Sequence, residues 1–295
     1  MDFLLFAELA INGSMAGLMY SLVALGIVII YKSSSVPNLA QGAMTMLGAY
    51  VVLAIANGFG LSMWAAIPLA MGTMFFVGMG IERVALRRLA GRPVVMILMM
   101  TLGLDIFIRA TSLAVWGGSV RPLSIGISND PLFLGPLLLN RTYAVGAMVA
   151  VALFLIFMFF FRTRRGIVLR AISDSYIASW SIGISVERGV AFSWAMASFL
   201  ATTAGVLWGS LQGVDQSLSL LLLKGLTVAV LGGLDSIGGA ILAGLLLGLL
   251  ESVVSGYLDP LVGGGSRDLV VAAMLILTIM VRPHGLFGRH DIERI

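Results

Sequence analysis

Charge-free apolar runs separated by short polar interruptions organise this chain from one end to the other. Residues 9–31 carry no charge, and Lys32 followed by Ser33, Ser34 and Ser35 closes the run. The next 49 residues, Ser33 to Ile81, are also free of charge. At about 1.5 Å per residue that is too long for one bilayer-crossing helix. The cluster Asn57-Gly58-Phe59-Gly60 supplies a turn, so a second span, started by Pro37, and a third, with Pro68 early in it, lie on either side. A basic loop at 83–92 follows, then a fourth span at 94–115.

Residues 117–141 are rich in Gly and Pro and read as an external loop. The fifth span runs over 142–161 and the sixth over 189–211, with a long polar segment between them. Residues 216–256 hold Lys224, Asp235 and Glu251 among apolar residues, with Gly232-Gly233 and Gly238-Gly239 in the middle. Two short helices broken at 232–239 account for this better than one long helix. A last span covers 268–282. The expected fold is an all-α polytopic membrane bundle of eight or nine crossings, including broken helices, in one transmembrane domain over residues 1–295.

Composition removes the alternatives. Of 295 residues, 59% are apolar and 11% charged, whereas soluble domains carry roughly a quarter charged residues. A soluble enzyme, a disordered regulator and a collagen-like chain are excluded. Cysteine is absent, and with it disulfides and thiolate chemistry. The net charge of +4 reports topology: Lys32, Arg83, Arg87, Arg88, Arg92, Arg162, Arg164, Arg165, Arg170, Arg188, Arg282, Arg289 and Arg294 make 13 of the 18 basic residues. All fall between spans, in segments the positive-inside rule assigns to the cytoplasm. This implies an external N-terminus and a cytoplasmic C-terminus.

Two small-residue patterns stand out. Gly13-x-x-x-Gly17 and Gly244-x-x-x-Gly248 put bare faces on one side of a helix, and packing within the subunit is the expected use. Gln41-Gly42 with Leu47-Gly48, and Lys224-Gly225 with Leu231-Gly232, form an internal echo. Inverted repeats with glycine-interrupted helices are a recurrent transporter design.

Catalytic groups are scarce. The only histidines are His284 and His290 near the tail, so no span holds a histidine-based catalytic or metal site. No Gly-x-x-x-x-Gly-Lys-Ser/Thr loop is present to cradle ATP phosphates. The chain is not expected to be an enzyme, and no cofactor or metal is implied. Asp105 and Arg109, four apart on one helix face, can neutralise each other. Lys224 has no acid at helical spacing, which leaves snorkelling to an interface or a place in a transport path. Polar groups at glycine-interrupted positions are tolerated in a bilayer only when buried in protein or facing water. Asn38, Gln41, Gly42, Lys224 and Gly225 are therefore the candidates for lining or shaping a pathway.

Several blocks, taken in order, resemble the LivH-type permeases of branched-chain amino acid ABC importers. They are Asn38-Leu39-Ala40-Gln41-Gly42 with Leu47-Gly48-Ala49-Tyr50, Thr101-Leu102-Gly103, and Arg170-Ala171 with Asp174, Ala178 and Gly183-Ile184. The series continues through Gly232 to Ala240 and Arg282-Pro283-His284-Gly285-Leu286-Phe287-Gly288. The resemblance implies a second related permease, two cytoplasmic ATPases that hydrolyse ATP, an external solute-binding protein, and a place in the cell inner membrane. It also implies an ATPase-coupling segment at about 172–185. There Ile177, Ala178, Ser179 and Gly183 occupy the positions of a Glu-Ala-Ala-x-x-x-Gly pattern, with isoleucine in place of glutamate. Permeases for urea, amides or small carboxylates share the scaffold, and a self-sufficient secondary transporter is the competing class.

Overall fold

The computed structural model describes residues 3–89, 92–127, 131–174 and 176–288, so Arg289, His290 and Arg294 lie outside the described residues. Among these residues the regular structure is helical apart from one hairpin and one isolated bridge. Seven helical segments are long and apolar enough to cross a membrane: α1 (Phe3–Ser34), α2 (Gln41–Phe59), α3 (Met63–Ile81) with its continuation to Leu89, α4 (Val94–Trp116), α5 (Arg141–Phe160), α8 (Val186–Gln212) and α10 (Ile237–Val262). Two shorter helices, α9 (Leu221–Gly232) and α11 (Ser266–Val281), complete the nine segments that the hydrophobic pattern outlines.

The central helices α1 and α8 are largely enclosed, while α3, α4 and α5 turn most of their surface outward. In a bilayer that outer surface meets lipid, so exposed Phe76, Phe107 and Leu155 carry no penalty there. Glycine sets how closely the inner helices approach. A Cβ on Gly17 would fall 2.0 Å from the carbonyl oxygen of Gly244, and one on Gly248 would fall 2.2 Å from that of Gly13. The two glycine patterns therefore meet each other across α1 and α10, inside the subunit. Ser21 reinforces the contact by donating to the Ala240 carbonyl at 3.0 Å.

Helix α2 begins later than Pro37. Residues 35–40 are irregular, with Ser35 at φ 55°, and Val36, which precedes Pro37, is driven away from helical geometry. Asn38 then accepts the Ala40 N–H at 3.0 Å in a local turn, and the helix starts at Gln41. The break expected at 232–239 falls between Gly232 and Ile237, where Ser236 caps α10 by accepting the Gly239 N–H.

The bundle has two chemically distinct ends. At the basic end, Lys32 donates to the Asp235 carbonyl at 2.5 Å, Arg87 reaches both Glu82 and Glu187, and Arg170 donates to the Phe161 carbonyl. At the opposite end a hairpin, β1 (Leu132–Leu134) with β2 (Leu137–Leu139), is tied to α1: Asn12 donates to the Leu138 carbonyl and accepts the Asn140 N–H. Asn140 itself caps α5 by accepting from Thr142 and Tyr143.

Candidate functional site

Irregular backbone sits inside the bundle where α2 starts. Asn38 and Gln41 are fully buried and satisfied: Asn38 donates to the Gln41 side chain at 3.2 Å, and Gln41 donates to the Ala197 carbonyl on α8 at 3.1 Å. The Gln41 amide lies against the bare backbone of Gly26, where a Cβ would be 2.0 Å away. Gly42 lies against the Ser219 carbonyl, 2.1 Å from where its Cβ would stand, and against Leu222. Ser219 belongs to a 3-10 turn (Gln216–Leu220) that leads into α9. The two blocks of the internal echo thus touch, the start of α2 against the start of α9. Gly225 continues the contact toward α1, facing Val23.

Lys224 is also inside. Its ammonium lies 2.6 Å from Glu251 Oε1 and 3.0 Å from the Tyr20 hydroxyl, and 4.9 Å above the Tyr20 ring. Tyr20 in turn donates to Glu251 at 3.2 Å and stacks on Trp208 at 4.7 Å. Glu251 and Tyr20 stand near the middle of α10 and α1. The cation is therefore held toward the interior rather than snorkelling to an end. The partner acid is 27 residues away in sequence. Glu251 Oε2 is buried without a partner, and the residue borders a cavity of about 180 Å³ that also touches Tyr143 and Arg267.

Of the five pathway candidates, the structure joins Asn38, Gln41 and Gly42 in one cluster, and sets Lys224 and Gly225 one turn deeper on the other side of α9's start. Their polar atoms are spent within the subunit. They fix where the start of α2 meets the start of α9.

The coupling candidates lie at the basic end, on two short helices rather than one: α6 (Arg164–Asp174) and α7 (Tyr176–Ser181). Gly183 adopts φ +82° and closes α7 with the paired bonds of a Schellman cap, Gly183 N–H to the Trp180 carbonyl at 3.1 Å and Ile184 N–H to the Ser179 carbonyl at 3.0 Å. Ala178 is exposed, whereas Ser179 is buried. The side chain of Ile177 lies outside the described residues. Trp180 and Ile182 present 75% and 74% of their surface to solvent, a pair of large apolar groups beyond the basic end of the bundle. A cavity of about 280 Å³ separates α6 from the end of α9 and is lined by Lys32, Arg170, Asp174, Asp235 and His284 among others.

The tail motif has a structural task that spacing alone does not reveal. The last carbonyls of a helix lack intrahelical donors, and at the end of α9 those donors come from the tail. Leu286 N–H reaches the Leu231 carbonyl at 2.8 Å, and Phe287 N–H reaches that of Gly232 at 3.2 Å. Gly285, at φ +75°, makes the turn that brings them there.

The Asp105–Arg109 pair is formed at 2.7 Å. Asp105 is near the midpoint of α4, 11 residues from each end, and the Arg109 side chain remains 42% exposed. An arginine at that depth facing lipid costs about 2.5–3.5 kcal/mol.

Comparison with known proteins is consistent along the whole chain. LivH of Salmonella typhimurium, a high-affinity branched-chain amino acid transport system permease protein, is 29% identical over 100% of this chain and 99% of its own. BraD of Pseudomonas aeruginosa, of the same description, is 27% identical over 97% and 96%. LivM of Escherichia coli, likewise a branched-chain amino acid transport permease, is 24% identical over 91% of this chain and 68% of its own. The profile of the family described as branched-chain amino acid transport system / permease component matches residues 9–280, which reaches into every membrane helix described above, and the chain belongs to that family.

Proposed function

We propose that this chain is the membrane-spanning permease of an ABC importer for branched-chain or similar small amphipathic amino acids, driven by ATP hydrolysis on partner subunits. The observation that carries this reading is the match to the family over residues 9–280 in a chain whose sequence holds no phosphate-binding loop of its own. The chain works with a second, related permease, two cytoplasmic ATPases and an external binding protein. It performs no catalysis itself. It resides in the cell inner membrane with its N-terminus outside and the basic end of the bundle, including the C-terminus, in the cytoplasm.

Residues 172–185 form the ATPase dock in this reading. Exposed Trp180 and Ile182 offer the apolar anchors that a groove on a partner would accept, and the Gly183 cap holds α7 at a fixed length. Ile177, Ala178 and Ser179 supply its body. The meeting point of α2 and α9, built from Asn38, Gln41, Gly42, Lys224 and Gly225, shapes the translocation route. Affinity purification of the tagged chain in mild detergent tests the assembly. A second permease and two ATPases should co-purify, and Trp180→Ala with Ile182→Ala should release the ATPases while keeping the permease pair. Isolation of the chain alone from active membranes would contradict the proposal.

A further inference from the structure

Helix α4 carries more polar chemistry than its surroundings use. Its packed stripe, at helical spacing, runs Thr101, Asp105, Ile108 and Ser112 against α2, and Arg109 stands at the edge of that stripe toward the 3-10 turn, where Gln216 donates to the Arg109 carbonyl at 3.4 Å. The ion pair pulls the guanidinium back toward Asp105, to the centre of the helix, instead of letting it rise toward Trp116. Three polar atoms along the same seam are buried and unpartnered: Arg109 Nε, Ser112 Oγ and Tyr50 Oη. Ser112 and Tyr50 are completely buried, and the Tyr50 ring stacks on Trp116, one turn beyond Ser112, at 5.0 Å.

Buried polar groups without protein partners are satisfied by water or ligand, and a half-exposed arginine at mid-depth faces water or protein rather than lipid. Both conditions hold along one seam, between α4, α2 and the 3-10 turn, and that turn also forms part of the junction with Gly42. We propose that this seam is a hydrated strip of the translocation route and that Arg109 is the cation that meets the carboxylate of the passing amino acid. The inference rests on the amino acid importer reading above and adds to it a residue for the carboxylate end of the substrate. Asp105 holds the guanidinium in place from one side, while its outer side remains open and presents positive potential to the seam. Arginine suits the task because its planar fork matches a carboxylate.

The cysteine-free chain makes the test direct. Ser112→Cys and, as a lipid-facing control, Phe107→Cys are introduced singly, and membranes containing the assembled transporter are treated with anionic sulfonatoethyl or cationic trimethylammonioethyl methanethiosulfonate. The thiol at position 112 should react with the anionic reagent about tenfold faster than with the cationic one, the size of effect that a focused positive field produces. The control should be far slower with both, and millimolar leucine with the complete system turning over should slow the anionic reaction. Arg109→Gln in the same background should abolish the anion preference. Because that change strands Asp105, the neutral pair Asp105→Asn with Arg109→Gln is measured beside it and should behave the same. No reaction at position 112 with either reagent, or an anion preference that survives loss of Arg109, overturns the proposal. Leucine uptake is followed in parallel on the cysteine-free parent. Anion-selective labelling without leucine uptake counts against the substrate assignment, whereas normal uptake with an unreactive thiol at 112 counts against the seam alone.

Discussion

The ammonium of Lys224 lies 2.6 Å from Oε1 of Glu251, joining the first turn of a short broken helix to the middle of the long helix that follows it. The pair is enclosed beside the middle of α1 and α10 and shares the Tyr20 hydroxyl. Removing one partner of a buried ion pair typically costs about 3–5 kcal/mol, because the remaining charge is left uncompensated, while replacing both by apolar groups is often neutral. Lys224→Met and Glu251→Met should each lower the thermal midpoint of the detergent-solubilised chain sharply, and the double variant should recover most of the loss. Additive losses in the double variant would show that the two charges do not act as a unit.

The glycine contact between α1 and α10 predicts a strict size limit. Gly17→Ala places a methyl 2.0 Å from a backbone carbonyl that cannot rotate away. Overpacking of this kind costs about 1–3 kcal/mol, seen as a lower melting midpoint and a smaller folded fraction in size-exclusion profiles. Gly72→Ala, on α3 with nothing within 4 Å of the added carbon, should be neutral or stabilising by up to about 1 kcal/mol.

At Gly183 the expected defect is functional rather than structural. Valine strongly disfavours φ +82°, and forcing it there costs about 1–3 kcal/mol locally, which opens the cap of α7. Gly183→Val should leave membrane abundance within twofold of the parent yet uncouple ATP hydrolysis from uptake. Measured leucine uptake per ATP hydrolysed reports this directly.

The tail predicts a local protection effect. Gly285→Val combines a disfavoured φ with a Cβ that would lie 2.4 Å from the Val230 carbonyl. The amides of Leu286 and Phe287 should then exchange with deuterium roughly tenfold faster, the equivalent of about 1.4 kcal/mol if both bonds are lost. Unchanged exchange would mean that the tail is held by contacts other than these two bonds.

These sites also show what is readable from one sequence. The order of spans is legible because charge-free run length and the 1.5 Å rise are local properties, and the break at Gly232 follows from paired glycines. Gly183 is legible for the same reason, since its role depends on its own backbone. The Lys224–Glu251 pair is not, because it exists only once α9 and α10 fold back on each other. The one available signal is two lone opposite charges in adjacent apolar segments. The late start of α2 follows from Pro37 only when the turn made by Asn38 is added. Ser179 reads only as a small residue of the coupling pattern, and its burial, with Trp180 and Ile182 left outside, exists only once α6 and α7 are folded. The task of the tail motif is equally non-local, since Leu231 and Leu286 lie 55 residues apart.

The most direct measurement is leucine accumulation in proteoliposomes that hold this chain, its second permease and the two ATPases, with the solute-binding protein outside. Uptake against a gradient is expected only when ATP is present on the ATPase side, with no leucine movement when the purified chain is reconstituted alone. Leucine transport by the chain alone, or by the full complex without ATP, would contradict the importer reading.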